Sequence, residues 1–141
     1  MSLYLDTSLL VSALTAEREG SRIEAWIRSN SSDDFAISDW VVTEFSAALS
    51  MKLRTQQVDL AQRATALSLF SGFCIEKATV LPVEHQHFSA AARLADRYDA
   101  GIRAGDALHL AVAADHGATL CTLDRRLSDA GPSLGIATLL V

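Results

Sequence analysis

The stretch AGDALHLAVAADHGATLCTLDRRL, residues 104–127, is the most informative part of this chain about its fold. From Asp106 to His116 it is nearly all apolar after its first residues, which predicts a helix buried on most of its sides. The segment ATLCT, residues 118–122, is typical of a short buried strand. Residues Asp124 to Asp129 are predicted to form the start of a second, shorter helix. The stretch therefore predicts a helix, a strand and a second helix in close succession.

The remainder of the chain continues this alternation. Strands are predicted at the apolar segments SLYLD (2–6), FAIS (35–38) and ATVLPV (78–83), with GIATLLV (135–141) as a candidate fifth strand. Apolar residues at helical spacing predict helices over 22–28, 39–54, 58–73 and 84–98. Continuous apolar strands alternating with helices predict a parallel sheet covered on both faces, so the predicted fold class is α/β.

The composition indicates one folded domain spanning residues 1–141, because half of the residues are hydrophobic and the mean hydropathy is +0.21. No apolar run has the length needed to span a bilayer, and the N-terminus lacks the basic leader of a signal peptide. We therefore expect a cytoplasmic protein with no membrane contact. The two cysteines, Cys74 and Cys121, lack the spacing of metal ligands and are expected to be buried free thiols.

The charge balance weighs against nucleic-acid binding. The formal net charge is −5, whereas phosphate contacts usually come from an excess of lysine and arginine. Two effects reduce the force of this objection. Bound cations would cancel part of the negative charge of an acidic site, and a local basic rim is compatible with an acidic average.

Four acids lie where a predicted strand ends or a predicted helix begins. Asp6 ends the first strand and Asp124 follows the fourth, and ligands of open parallel sheets bind at that edge. Asp106 opens the most apolar helix, and Glu44 lies beside a helix face that should be buried. Acids gathered without basic partners repel one another, and divalent cations relieve that repulsion. The pattern therefore predicts a metal-dependent hydrolase.

Each of these acids also has a purely structural interpretation. Asp6 and Asp124 could cap the helices that follow them, and Asp106 gains from the helix dipole at its N-terminus. Glu44 could be a solvated residue on the flank of its helix. Only the co-location of all four would favour a site over these alternatives.

The histidines are assigned no functional role from the sequence. His109 lies three residues after Asp106, on or near the same helix face, where a buried, hydrogen-bonded histidine is the favoured interpretation. His85 and His87 are at a helix start and are predicted to lie on the surface.

Three blocks in order, LYLDTSLL (3–10), WVVTEFSAAL (40–49) and residues 104–127, resemble the PIN-domain family, and most closely VapC-type toxins of toxin–antitoxin pairs. The resemblance covers essentially the whole chain. It implies a three-layer α/β/α sandwich around a parallel sheet of four or five strands, and a Mg²⁺- or Mn²⁺-dependent ribonuclease. By motif, the metal-binding and catalytic acids would be Asp6, Glu44, Asp106 and Asp124, with supporting hydroxyls at Thr7, Ser8 and Thr122.

The resemblance also implies partners: an RNA substrate, a VapB-like antitoxin whose C-terminal segment lies across the active-site groove, and a second copy in a homodimer. Arg103, Arg125 and Arg126 are candidates for RNA-backbone contacts, with ordinary surface arginines as the alternative. Some family members carry a further acid where this chain has Arg125 and Arg126, so the number of metals stays open. Trp40 and Phe45 could stack a base, although core packing is favoured.

Two other functions compete with the ribonuclease interpretation. A phosphatase of the haloacid-dehalogenase type also begins with a strand ending in an acid, but needs a second acid two residues later, where this chain has Ser8. A PIN fold kept as a binding module without activity is the other alternative. The presence of all four acids argues against it.

Overall fold

The computed structural model describes residues 1–141 and contains five strands and seven α-helices. The strands are β1 (Ser2–Leu5), β2 (Asp34–Ser38), β3 (Ala78–Leu81), β4 (Thr119–Thr122) and β5 (Thr138–Leu140). The helices are α1 (Thr7–Leu14), α2 (Gly20–Ser29), α3 (Asp39–Arg54), α4 (Leu60–Glu76), α5 (His85–Ala95), α6 (Ala104–Asp115) and α7 (Arg125–Ser133). A short 3₁₀ helix, Tyr98–Ala100, lies between α5 and α6.

All five strands form one sheet in the order β3-β2-β1-β4-β5, and every neighbouring pair is parallel. In the centre of the sheet, Leu3 of β1 pairs with Phe35 of β2 on one side and with Thr119 of β4 on the other. Parallel pairing places the carboxyl ends of β1, β2 and β4 at one edge. The structure confirms the predicted α/β class, including the candidate fifth strand.

The helices cover both faces of the sheet in an α/β sandwich. Helices α1 to α4 pack against one another, and α5 packs against α6. A right-handed crossover between parallel strands places the first group on one face and α5 to α7 on the other. The middle strand β1 is the most enclosed, with Tyr4 and Leu5 completely buried. None of the helices is both long and apolar enough to cross a membrane.

Most predicted element boundaries agree with the structure to within a few residues. Helix α3 spans Asp39–Arg54 as predicted, and Ser38 is its N-cap, with its hydroxyl accepting the backbone N–H of Val41 at 3.4 Å. Helix α6 begins at Ala104, so Asp106 lies in its first turn. Helix α5 ends at Ala95, short of its predicted end, and the 3₁₀ helix follows.

The predicted surface position of His87 is wrong, whereas His85 is exposed as predicted. His87 Nδ1 accepts the backbone N–H of Glu84 at 2.9 Å, which satisfies a free amide at the start of α5. Its Nε2 bonds Asp115 Oδ2 at 2.9 Å and so connects α5 to α6. These two hydrogen bonds turn the His87 side chain toward the interior. Its position at a helix start did not indicate them.

Candidate active site

Asp6 lies directly after β1 and is 5% exposed. Its Oδ1 accepts the backbone N–H of Ser8 at 3.0 Å and the Ser8 hydroxyl at 2.5 Å. Its Oδ2 accepts the hydroxyl of Thr122, at the end of β4, at 2.5 Å. Asp6 is therefore the N-cap of α1 through one oxygen, while its other oxygen faces the neighbouring strand.

Asp124 is connected to the same hydroxyl group. Its backbone N–H donates to Thr122 Oγ1 at 3.0 Å, so Thr122 donates to Asp6 and accepts from Asp124. Asp124 Oδ1 accepts the backbone N–H groups of Arg126 and Leu127 at 2.9 and 3.3 Å, which makes it the N-cap of α7. The cap engages one carboxylate oxygen and leaves Oδ2 without a partner in the protein.

Glu44 lies in the second turn of α3 and is half-buried. Its Oε1 accepts the Thr7 hydroxyl at 2.7 Å and contacts His109 Nε2 at 2.5 Å. Because Thr7 directly follows Asp6 in the chain, this contact brings the Glu44 carboxylate close to the end of β1. A Cβ atom placed on Gly105 would lie 3.4 Å from Glu44 Oε2, so this second oxygen faces the start of α6.

Asp106 lies in the first turn of α6, the end of the helix that Glu44 Oε2 faces. Its Oδ2 accepts the backbone N–H of Arg103 at 3.2 Å, so it satisfies a free amide at the helix start. Gly105, the residue before it, lies against Glu44 Oε2. The four acids thus occupy the carboxyl edge of the sheet. Asp6 and Asp124 make the helix-cap contacts that the structural interpretation predicted. For Asp106 that interpretation named the helix dipole, and the structure adds the hydrogen bond from the Arg103 amide.

Burial and hydrogen bonding act differently on Asp6 and Glu44. Burial raises the pKa of Asp6 above its usual range, and the hydrogen bonds from Ser8 and Thr122 offset this only in part. Burial alone would also raise the pKa of Glu44, but the hydrogen bond and charge of His109, together with the Thr7 hydrogen bond, lower it. A divalent cation at the site would favour the ionised form of Asp6.

The chemistry of these residues fits a hard divalent cation. All four acids offer carboxylate oxygens, the ligands that Mg²⁺ prefers, and no lysine or arginine forms an ion pair with any of them. Asp6 is therefore a buried carboxylate with no lysine or arginine to balance it. No three His, Cys, Asp or Glu side chains of the structure stand close enough together to hold a metal ion. A shared site consequently requires the free oxygens of Asp106 and Asp124 to turn toward a common point.

The predicted arginines and aromatic residues divide into surface and core. Arg103, Arg125 and Arg126 are all exposed, next to the helix starts that carry Asp106 and Asp124. Phe45 is completely buried and stacks on Phe70 with ring centroids 4.1 Å apart, so it packs in the core. Trp40 is half-buried, and its buried indole N–H has no hydrogen-bond partner.

Sequence reasoning missed two residues that contact the site. His109 is buried as expected, but it bonds the candidate ligand Glu44, and its other ring nitrogen bonds the hydroxyl of Tyr4 at 2.8 Å. Tyr4 lies two residues before Asp6 and is completely buried in the central strand. A tyrosine in a buried strand needs a partner for its hydroxyl, and that requirement is the signal that could have found this pair.

The fold and these residues define a class: a parallel α/β sandwich with acidic side chains collected at the carboxyl edge of its sheet. A family model described as the PIN domain matches residues 3–131, and the chain belongs to this family. Membership implies nuclease activity. A search of curated proteins found no match to this sequence.

Solved structures share the fold at low sequence identity. A chain of VapBC2 from Rickettsia felis, bound to a DNA fragment from its promoter, has a TM-score of 0.73 and 16% identity, and the match covers 99% of this chain and 98% of that one. FitAcB from Neisseria gonorrhoeae gives 0.70 and 18%, covering 97% and 96%. VapC20 of Mycobacterium tuberculosis, a sarcin-ricin loop cleaving toxin, gives 0.71 and 17%, covering 92% and 95%.

Proposed function

We propose that the protein is a Mg²⁺-dependent endoribonuclease, with Mn²⁺ as an alternative cofactor, and the toxin of a VapBC-type toxin–antitoxin pair. The observation that carries this proposal is the position of Asp6, Glu44, Asp106 and Asp124 at one sheet edge, without a lysine or arginine partner. Membership in the PIN-domain family supports nuclease activity. The similarity in fold to VapC20, a toxin that cleaves the sarcin-ricin loop, supports RNA as the substrate.

The acids of this chain would supply the metal ligands. Glu44 Oε2, Asp124 Oδ2 and the second oxygen of Asp106 are free of hydrogen bonds, while Asp6 is fixed by three donors. A bound divalent cation would polarise the scissile phosphate and supply an activated water for phosphodiester hydrolysis. The hydroxyls of Thr7, Ser8 and Thr122 orient the acids. Because the cation would activate the attacking water, no histidine base or covalent nucleophile would be required.

An RNA backbone would lie along the arginines at this edge. Arg125 and Arg126 begin α7 directly after Asp124, and Arg103 precedes α6. Their exposed guanidinium groups would pair with phosphates on either side of the scissile bond, which answers the objection raised by the net charge of −5.

The proposal also includes the proteins with which this chain would associate. The chain is similar in fold to chains from VapBC and FitAB complexes, which supports a VapB-like antitoxin as the regulator of this protein. We also assign it, on family resemblance, a homodimeric state, a single PIN domain over residues 1–141 and a cytoplasmic location. Size-exclusion chromatography with light scattering would test the dimer.

The proposal is tested by brief induction of the protein in cells, followed by mapping of cleavage sites in total RNA. The intact protein should arrest growth and produce discrete RNA cuts. Asp6→Asn and Asp106→Asn should relieve the arrest and abolish the cuts while folding normally. Purified protein should cleave the same sites with Mg²⁺ and not with EDTA.

A binding module without activity is the remaining alternative. It predicts RNA or protein binding with no cleavage, and no difference between the intact protein and Asp6→Asn in the cleavage map. Unaffected growth together with an intact RNA pool would sink the toxin assignment.

A further inference from the structure

A buried row of hydrogen bonds leads from the sheet to the candidate metal ligand Glu44. The Tyr4 hydroxyl bonds Ser38 Oγ at 2.7 Å and His109 Nδ1 at 2.8 Å. The other ring nitrogen of His109, Nε2, bonds Glu44 Oε1 at 2.5 Å. The row joins β1, the end of β2, α6 and α3, four elements that are distant in sequence.

We propose that His109, held in place by Tyr4, is a positioning residue that occupies Glu44 Oε1 and leaves Oε2 as the only oxygen of Glu44 able to bind a metal. This inference rests on the proposed function, because it assigns Glu44 a metal. It concerns a residue that the four-acid pattern does not include.

The direction of the hydrogen bonds follows from the end at Glu44. A carboxylate can only accept, so His109 Nε2 carries the proton of that contact. With a proton on Nε2, the ring can accept the Tyr4 hydroxyl through Nδ1, and the Tyr4 oxygen can accept from Ser38. Burial raises the pKa of Tyr4, so its hydroxyl keeps its proton. Tyr4 therefore orients the His109 ring from the side opposite to Glu44.

The contacts at Glu44 divide its two oxygens. Oε1 receives both the Thr7 hydroxyl and His109 Nε2, which together use its accepting capacity. Oε2 has no partner and faces the start of α6, where Gly105 leaves room for it. A cation bound by Glu44 would therefore meet a single oxygen of a side chain that is already ordered. Without His109, only the Thr7 hydroxyl would hold Oε1, so more of the ordering of this long side chain would have to accompany metal binding.

Packing alone would also explain a buried histidine, and two substitutions of similar polarity separate the two roles. His109→Gln places its amide nitrogen at the level of Nε2 and can still donate to Glu44. His109→Asn places its amide at the level of Nδ1 and falls short of Glu44. Tyr4→Phe keeps the ring of residue 4 in the core and removes only the hydroxyl that orients His109.

The experiment measures Mn²⁺ affinity of the metal-free full-length protein by electron paramagnetic resonance, for wild type and the three variants, with Asp6→Asn as the reference for a lost ligand. Loss of a residue that hydrogen-bonds a metal ligand typically weakens metal binding by about 10- to 100-fold. We expect that loss for His109→Asn, a smaller loss for Tyr4→Phe, and near wild-type binding for His109→Gln. Thermal unfolding without metal shows whether the two His109 variants are equally folded.

A second measurement needs no metal. Nitrogen-15 spectra of the histidine side chains should show His109 with a proton on Nε2 in wild type, and a mixture of tautomers in Tyr4→Phe. A bare Nε2 in wild type, or equal Mn²⁺ affinity of His109→Asn and wild type, would overturn the positioning role. Failure of the wild-type protein itself to bind Mn²⁺ would instead reject the metal-dependent function, and the positioning role with it.

Discussion

The Thr122 hydroxyl donates a hydrogen bond to Asp6 Oδ2 at 2.5 Å, although the two residues are 116 positions apart in the chain. The pairing of β1 with β4 brings them together. Leu5 lies opposite Cys121 in the register, and Asp6 and Thr122 are the next residues along the two chain segments. The same hydroxyl accepts the backbone N–H of Asp124. One side chain thus connects two of the four acids, and it can be tested without changing an acid.

Thr122→Val should destabilise the protein, since valine has nearly the same shape but leaves a buried oxygen of Asp6 with one donor fewer. A buried acceptor left unsatisfied costs about 1–3 kcal/mol. Chemical denaturation at neutral pH measures this loss. Thr119→Val is the matched control, because Thr119 lies in the same strand and its side chain makes no hydrogen bond. Equal stabilities of the two variants would contradict the importance of the Asp6 contact.

Asp6→Asn should stabilise the metal-free protein near neutral pH. Burial raises the pKa of Asp6, so the folded chain holds this proton more tightly than the unfolded chain does. As the pH rises above the ordinary aspartate value of about 3.9, the folded state therefore loses stability, because it must carry a buried charge. Asparagine carries no charge, so the advantage of the variant should grow with pH and vanish in acid.

Added Mg²⁺ should reverse this order. A ligand that binds only the folded state stabilises it by about 2.7 kcal/mol at 100 times its Kd. Thermal unfolding with and without Mg²⁺ should show this gain for the wild type and little for Asp6→Asn. The exposed Asp96→Asn variant serves as the control for a lost surface charge. A Mg²⁺ shift of equal size in Asp6→Asn would show that Asp6 does not bind the metal.

The alternation of helices and apolar strands was enough to predict the sheet and the ends of helices such as α3, because both depend on local periodicity. The contacts of the site were less accessible. The sequence places Thr122 and Asp6 at strand ends, but only the strand order makes them neighbours. The histidines show the remaining gap. The burial of His109 was predicted and that of His87 was not, but each bonds a partner on another element that its local sequence did not identify.

Gly20→Ala should destabilise the fold, because the start of α2 lies directly against α1. A Cβ atom at residue 20 would lie 2.7 Å from the backbone oxygen of Ser12, closer than real contacts of this kind. Overpacking against backbone costs about 1–3 kcal/mol. Gly72→Ala is the matched control in the interior of α4, where a Cβ meets nothing within 4 Å. There, alanine should gain about 1 kcal/mol through helix propensity. Denaturation midpoints that move in the same direction for both variants would contradict the close approach of α1 and α2.

Replacement of Arg125 and Arg126 together by alanine should weaken RNA binding with little effect on stability. Both side chains are exposed, and the cap contact at Asp124 uses the backbone N–H of residue 126, which alanine retains. Each lost phosphate contact on single-stranded RNA lowers the slope of log affinity against log salt by about 0.7. Binding of a cleavage-site RNA by the inactive Asp106→Asn protein, measured over a salt series, therefore reports how many arginines contact the backbone.

Arg28→Ala is the control, because α2 ends with Ser29 near the amino end of β2, at the edge opposite the acids. An unchanged salt slope in the double variant would place the RNA elsewhere, whereas a reduced slope also in Arg28→Ala would indicate a diffuse effect of net charge.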